Sequence, residues 1–417
     1  MNFILSTLFI LASFSAFPAA PIDERLAGYV QKFNLIPLSA PAARKHKLFL
    51  LGRDLFRERR ISGNDNISCM ECHHPRIGTA DGIPLSLGEG AIGLQIGNRK
   101  RMQGQGRILA RNTPALFNLH NVNVMFWDGR VEFNPETKKL ITPIPLKREV
   151  ARTLTSALAA QAIFPMVDHD EMRGLRSSNP IADAKNEEEA WELIVEKILK
   201  FPEYQKAFAE VFPGQKINIG HFGEALAEFQ GQAFFLAETP YDRYLKGNVE
   251  ALTTKQKIGM EVFFDKAKCG ICHNGEHLSS LEYKVVGSPQ IGPGKENGDD
   301  YGRYQWDNQE GNRYAFRVPP LRNVGLTAPY FHHGGLATLE NVVEHYDDIK
   351  TSLNNYRIIE QFSNYLRPLK AHDHTNDYIR IGNIPRDLPL EIGFTEEEKE
   401  ALVEFLRFGL TDIRLQN

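Results

Sequence analysis

The four cysteines of this 417-residue chain fall in two pairs with a single spacing, Cys69-Met70-Glu71-Cys72-His73 and Cys269-Gly270-Ile271-Cys272-His273. Two thiols separated by two residues and followed at once by a histidine suit covalent attachment of a c-type haem. Each thiol adds to a vinyl group, and the imidazole supplies an axial nitrogen to the iron. Disulfides, a dithiol redox pair or half of a zinc site are the other uses of Cys-x-x-Cys. Two such pentapeptides that together consume every cysteine favour two covalently bound haem c groups.

What fills the second axial position decides the chemistry, because a closed iron passes electrons while an open one binds a ligand. The chain has seven methionines and the last is Met260, so no methionine follows Cys269. A His/Met iron therefore cannot be built from the residues after the second motif, and His332, His333, His345 and Tyr346 are the candidates there. Between His74 and His120 there is no histidine. His74 adjoins the proximal ligand and cannot reach the other face. The first iron is expected to be open.

The elements that must hold these groups read as helices. Residues 186–200 carry Trp191, Ile194, Val195 and Ile198 at helical spacing, and 219–236 carry a similar stripe. Near the C-terminus Thr395 and Glu398 form a capping box, Leu402, Phe405 and Leu406 the buried stripe, and Gly409 the stop. Residues 239–248 read as a connector, and 284–312, rich in Gly, Asp and Asn, as a long surface loop. The motifs lie 200 residues apart, one per half, which reads as a duplication at domain scale.

The first 20 residues, apolar from Phe3 to Phe14 and then small, read as a cleaved secretory signal. No later stretch is apolar enough to span a membrane. Hydrophobic residues make up 42% and charged residues 24%, ordinary for a globular protein, and a net charge of -3 argues against nucleic acid as a partner. A periplasmic location follows.

Several separated motifs share one resemblance: Arg111-Asn-Thr-Pro114, Phe126-Trp-Asp-Gly-Arg130, Gln161 with Pro165 and Glu171-Met172, the second Cys-x-x-Cys-His, and Val318-Pro-Pro-Leu-Arg-Asn-Val324 leading to Leu326-Thr-Ala-Pro-Tyr-Phe-His332. In order, from about Leu48 to Leu410, they resemble the bacterial di-haem cytochrome c peroxidase and MauG superfamily. The resemblance implies an all-α fold of two cytochrome c-like haem domains joined by connecting helices. Its boundaries would be a signal peptide over 1–20, an N-terminal peroxidatic haem domain over 21–180, connecting helices over 181–250 and a C-terminal electron-transfer haem domain over 251–417. It implies Glu171 as the catalytic carboxylate over the open haem, Gln161 as its neighbour and Trp127 as the relay between haems. It also implies calcium near the domain junction, held by the Asn112 side chain and the carbonyls of Thr327 and Pro329. One amide and two backbone oxygens are reasonable for a hard cation.

Two departures from the family pattern matter. Where many members have a distal histidine after the first motif, this chain has Glu89. Where the electron-transfer methionine is usual, it has Tyr346, as in MauG, and a phenolate favours oxidised iron. The alternative at that site is His345, with Tyr346 a core residue. The leading expectation is an enzyme that reduces hydrogen peroxide to water with electrons from a small exported cytochrome or cupredoxin. The alternative is a MauG-like enzyme that oxidises residues of a partner protein, such as a tryptophan converted to a quinone cofactor. A di-haem electron carrier is the non-enzymatic reading, and a haem-based sensor ranks below it. A homodimer is compatible with all of these.

Overall fold

A computed structural model describes residues 21–93, 108–294, 298–357 and 372–416, with the backbone alone at 100 and 101. The signal-peptide expectation lies outside the described residues. Two glycines explain how the helices meet. The helices His46–Arg57 and Ile219–Ala233 cross where a Cβ on Gly52 would lie 1.8 Å from the Ala225 carbonyl oxygen. In the second half, Thr254–Phe264 and Glu396–Glu404 cross where a Cβ on Gly259 would lie 2.0 Å from the Ala401 carbonyl oxygen. Only a residue without Cβ admits these approaches. In each crossing the glycine-bearing helix precedes a Cys-x-x-Cys-His motif and its partner follows it, so the duplication extends from the motifs to the frame that carries them.

Each crossing anchors a large apolar cluster. The first contains Leu51, Leu55, Trp191, Ile194, Phe222 and Leu226. The second contains Leu26, Phe263, Phe264, Leu402, Phe405 and Leu406. The expected 186–200 helix is found as Glu187–Ile198, capped by Asn186, and Ile219–Ala233 is capped by Asn218. The Thr395–Glu398 capping box opens Glu396–Glu404, and a π-helical turn, Phe405–Gly409, follows it. The clusters cut the chain differently from the expected boundaries. The first helix, Pro21–Lys32, sends Leu26 into the second cluster and pairs Asp23 with Lys257 at 2.9 Å. The helices of 181–250 are shared: Trp191 and Phe208 join the first cluster, Tyr241 and Tyr244 the second.

The expectation of a purely α-helical chain holds only in a coarser form. The protein is helix-rich, and the described residues also include four small antiparallel sheets of two- and three-residue strands. One of them pairs Tyr283–Lys284 with Phe316–Arg317, Tyr283 facing Arg317 in register. The expected surface loop over 284–312 needs correction. Val285, Ser288, Gln290, Ile291 and Asp300 are buried, and Val285 packs with Ile349 and Leu353 in a third cluster. The expectation holds for the second part, where Gln305, Trp306, Asn308, Gln309, Glu310 and Gly311 are exposed, while Asp300 is drawn inward by its pair with Arg111. Among the described residues no helix is long and apolar enough to cross a membrane.

Candidate functional site

Both Cys-x-x-Cys-His motifs fold into the same turn. The backbone N–H of His73 donates to the Cys69 carbonyl and that of His273 to the Cys269 carbonyl, each at 2.8 Å. In the first, Ser68 opens the turn, and Glu71 reaches back to accept from the Ser68 backbone N–H at 2.7 Å. The imidazoles are also held alike. Nδ1 of His73 lies 3.0 Å from the Thr79 carbonyl oxygen, and Nδ1 of His273 lies 2.9 Å from that of Leu278. A carbonyl can only accept, so in these two contacts Nδ1 carries the proton. A metal-binding histidine needs this tautomer. Burial pulls the His273 imidazole down to about 4, so it is neutral at neutral pH. None of the four cysteines is in a disulfide, and burial holds the thiols of Cys69 and Cys269 up at about 12.

Each motif forms part of a cavity wall. The first cavity, about 660 Å³, is lined by Cys69, Cys72, His73, Gln161, Glu171 and Trp127, among others. The second, about 220 Å³, is lined by Cys269, Cys272, His273, Tyr346, Arg317 and again Trp127. Asn112, Thr113 and Trp127 line both, so one thin wall separates the two spaces. In each cavity a pair of thiols and an imidazole face one enclosed volume. This donor set fits a covalently bound haem.

Local structure explains how the first cavity presents Gln161 and Glu171. Gln161 ends the Ala157–Gln161 helix, which Ser156 caps. Glu171 sits in a π-helical turn, His169–Arg173, whose start is fixed by Asp168 Oδ1 accepting from the backbone N–H groups of Asp170 and Glu171 at 2.9 and 3.3 Å. Gly88 backs onto this turn so closely that a Cβ there would lie 3.1 Å from the Glu171 Cα. Met172 also borders the cavity but is packed in the first apolar cluster. His73 is the one histidine among the lining residues. Glu89 is buried, its carboxylate accepts from Asn64 and Asn66 at 2.9 and 2.5 Å, and it is not among them.

At the second cavity the two neighbouring candidates separate. Tyr346 lines it, and burial with Cys269 and Cys272 nearby pushes its phenol well above the usual range. His345 does not line it. That ring is fully buried, with Nδ1 2.9 Å from Ser352 Oγ and Nε2 2.8 Å from the Val286 carbonyl oxygen. His332 reaches the cavity stacked on Phe316 at 3.6 Å, whereas His333 contacts Ser288 Oγ at 3.1 Å and accepts from the Gly335 N–H.

The shared wall is braced by charge. Trp127 donates its indole N–H to the Asn112 carbonyl at 2.9 Å. Next to it, Asp128 accepts from Arg111, Arg130 and the Trp306 indole, and Arg111 also grips Asp300. The two guanidinium groups hold Asp128 well below the usual carboxylate range. Asn112 donates Nδ2–H to the Pro329 carbonyl at 2.8 Å, and its Oδ1 is buried with no hydrogen-bond partner among the described residues. Thr327 and Pro329 line the second cavity beside it. A half-turn of the Asn112 amide would set its Oδ1 beside the Pro329 oxygen, an arrangement that a cation makes favourable.

A separate cluster of His372, His374 and Asp377 has metal-like spacing. There, His372 Nδ1 accepts the Gln290 backbone N–H at 3.1 Å, so its other nitrogen carries the proton and donates to Asp377. The cluster is a hydrogen-bonded triad. Sequence reasoning missed the two carbonyls that orient the histidines, the Asp168 cap and the cavity-lining Arg317. None leaves a signal in a motif, because each depends on which backbone atoms the fold brings near.

Comparison with known proteins places this arrangement. The family model for the di-haem cytochrome c peroxidase matches residues 46–250. Cytochrome c peroxidase Ccp of Escherichia coli is 31% identical over 329 residues, covering 78% of this chain and 55% of that protein, so the chain spans about half the length of that relative. Cytochrome c551 peroxidase of Pseudomonas aeruginosa is 30% identical over 300 residues, 70% of this chain and 69% of that one. MauG of Methylorubrum extorquens is 28% identical over 299 residues, 71% and 67% of the two chains. In solved structures the fold matches that of the diheme peroxidase BthA from Burkholderia thailandensis, with a TM-score of 0.62 at 19% identity over 91% of this chain and 90% of that one. It also matches a MauG-like protein associated with microbial copper homeostasis, with a TM-score of 0.61 at 24% identity over 91% and 94%. The chain belongs to the di-haem cytochrome c peroxidase family.

Proposed function

We propose that this protein is a di-haem peroxidase that takes hydrogen peroxide in the first cavity and draws electrons for its reduction from a donor protein by way of the second. The supporting observation is that Glu171, Gln161 and His73 line one cavity whose wall, Trp127, also lines the other. Cys69, Cys72 and His73 would hold one haem, and Cys269, Cys272, His273 and Tyr346 the other. When bound, the haems would supply redox-active iron to the two cavities. Glu171 takes a proton from one peroxide oxygen and returns it to the other as the O–O bond breaks, and the Gln161 amide orients the molecule. Two electrons from the donor and two protons convert one peroxide to two waters. Trp127 carries electrons across the shared wall. The buried Asn112 Oδ1, with the carbonyls of Thr327 and Pro329, would hold a calcium ion that stiffens this wall. Residues 1–20 would direct export to the periplasm, and the two apolar clusters would be the cores of two haem domains.

A second reading has its own support. Tyr346 borders the second cavity while both nitrogens of His345 are engaged elsewhere, which favours a phenolate ligand and MauG-like oxidation of a partner protein. One experiment separates these readings from a plain electron carrier. The ferric holoprotein is mixed with peroxide while the Soret band is followed, with a reduced cytochrome then added. A Soret change followed by cytochrome oxidation fits the peroxidase, a long-lived change that the cytochrome does not discharge fits the MauG type, and an unchanged spectrum leaves only a carrier.

A further inference from the structure

Arg111, Arg317, Arg322 and Arg380 are all buried. Three of them meet carboxylates: Arg111 with Asp128 and Asp300, Arg322 with Asp242, and Arg380 with Asp299 and Asp377. Arg317, 6% exposed, meets none among the described residues. Its Nε–H donates to the Phe126 carbonyl at 3.1 Å, and its Nη1 is buried with no hydrogen-bond partner among the described residues. Another buried arginine, Arg173, has Glu187, Asp168 and Glu189 within electrostatic reach, donates to the carbonyls of Ile181 and Ala184 and borders no cavity described above. Arg317 lines the second cavity.

Burial pulls the Arg317 guanidinium down only to about 10, so it is charged at neutral pH. A charge left unpaired in the interior is strongly unfavourable. Asp387, a carboxylate bordering the same cavity, lies within electrostatic reach of Lys284 and Cys272, while the influence on Arg317 comes from Tyr283. Among the described residues no carboxylate answers Arg317, which points to an anion carried by whatever fills the cavity. The backbone reinforces this placement: the Arg317 N–H donates to the Trp127 carbonyl at 2.7 Å, so the cation is fixed to the wall between the cavities.

We propose that Arg317 is the cation that binds a carboxylate of the prosthetic group in the second cavity, and that by this contact it sets the reduction potential there. The proposal rests on the two-haem reading. The carboxylates of a haem are its propionates. A fixed positive charge in a low-dielectric space favours the reduced iron, so Arg317 opposes the effect of a phenolate from Tyr346.

The test uses the holoprotein with Arg317→Gln and Arg317→Lys. In R317Q, spectroelectrochemistry should lower the midpoint of one haem and leave the other in place. At a fixed ambient potential the reduced-to-oxidised ratio of that haem falls at least tenfold, about 59 mV for a one-electron couple. R317K should restore the midpoint, and propionate bending bands in the resonance Raman spectrum should change in both variants. Unmoved midpoints with unchanged propionate bands in R317Q overturn the proposal. If R317Q does not load haem, unchanged bands in R317K do the same. A wild-type midpoint that tracks added acetate or chloride also overturns it, because the anion would then come from solution. These readouts need no peroxide, so a failed peroxidase assay leaves them interpretable.

Discussion

The indole N–H of Trp127 donates to the carbonyl oxygen of Asn112 at 2.9 Å, and both residues border both cavities. The group proposed to pass electrons is thereby tied to the group proposed to hold calcium. Trp127→Phe removes a hydrogen bond worth about 1 kcal/mol and replaces the indole by a poorer relay. Both haems should remain attached. Stopped-flow mixing of the variant with peroxide should show an undiminished first phase and delivery of electrons from the second haem slowed at least tenfold. An unslowed second phase argues for a path that bypasses Trp127.

Glu171→Gln keeps the shape of the π-helical turn, whose start rests on Asp168 and backbone N–H groups, and removes the proton acceptor. General acid–base assistance of this kind is worth roughly 10²- to 10⁴-fold. Haem content should be unchanged and the peroxide phase slower by a factor in that range. Wild-type kinetics would remove Glu171 from the chemistry.

Tyr346→Phe and His345→Phe should behave in opposite ways. The first should change the absorption spectrum of one haem with little loss of stability. The second should leave both spectra intact and cost about 1–3 kcal/mol, since Ser352 Oγ and the Val286 carbonyl lose their shared partner. Thermal unfolding followed by circular dichroism, together with the visible spectra, decides between them. Reversed results would make His345 the ligand.

Removal of calcium should act on the wall rather than on the haem attachments. Chelation should lower Tm and slow electron passage between the haems, with recovery on adding calcium. Asn112→Ala should mimic the chelated state and abolish its calcium dependence. A Tm indifferent to both chelator and calcium would leave Asn112 Oδ1 as an unpaired amide oxygen.

Gly259→Ala should destabilise the second half by about 1–3 kcal/mol, the usual cost of overpacking, because the new methyl would meet the Ala401 carbonyl. Denaturant unfolding should show a lower midpoint with an unchanged slope. Gly52→Ala should do the same in the first half.

Much of the site was legible because attachment chemistry imposes a covalent spacing. Cys69 to His73 and Cys269 to His273 name themselves, and Thr395 with Glu398 marks a helix start through local capping. The rest depended on long-range geometry. Val285, Ser288, Gln290, Ile291 and Asp300 belong to a stretch that reads as a loop by composition, yet they are buried, and Asp300 answers Arg111 from another part of the chain. Glu89 stands where a histidine would be usual, but only the fold reveals that Asn64 and Asn66 occupy its carboxylate. Leu26 shows no sign in sequence that it belongs with Phe263 rather than with the nearer first motif. The tight crossings at Gly52 and Gly259 look like ordinary helix positions until the partner carbonyl is known.

Asn112, Thr113 and Trp127 face two chambers at once. Substitution at such a partition answers to two masters: a bulkier Thr113 chosen to reshape one chamber intrudes on the other, and a change that retunes one chromophore disturbs its neighbour. Relatives that diverge in substrate or axial ligand can therefore vary the outer walls piecemeal, while these three positions must change together or stay as they are.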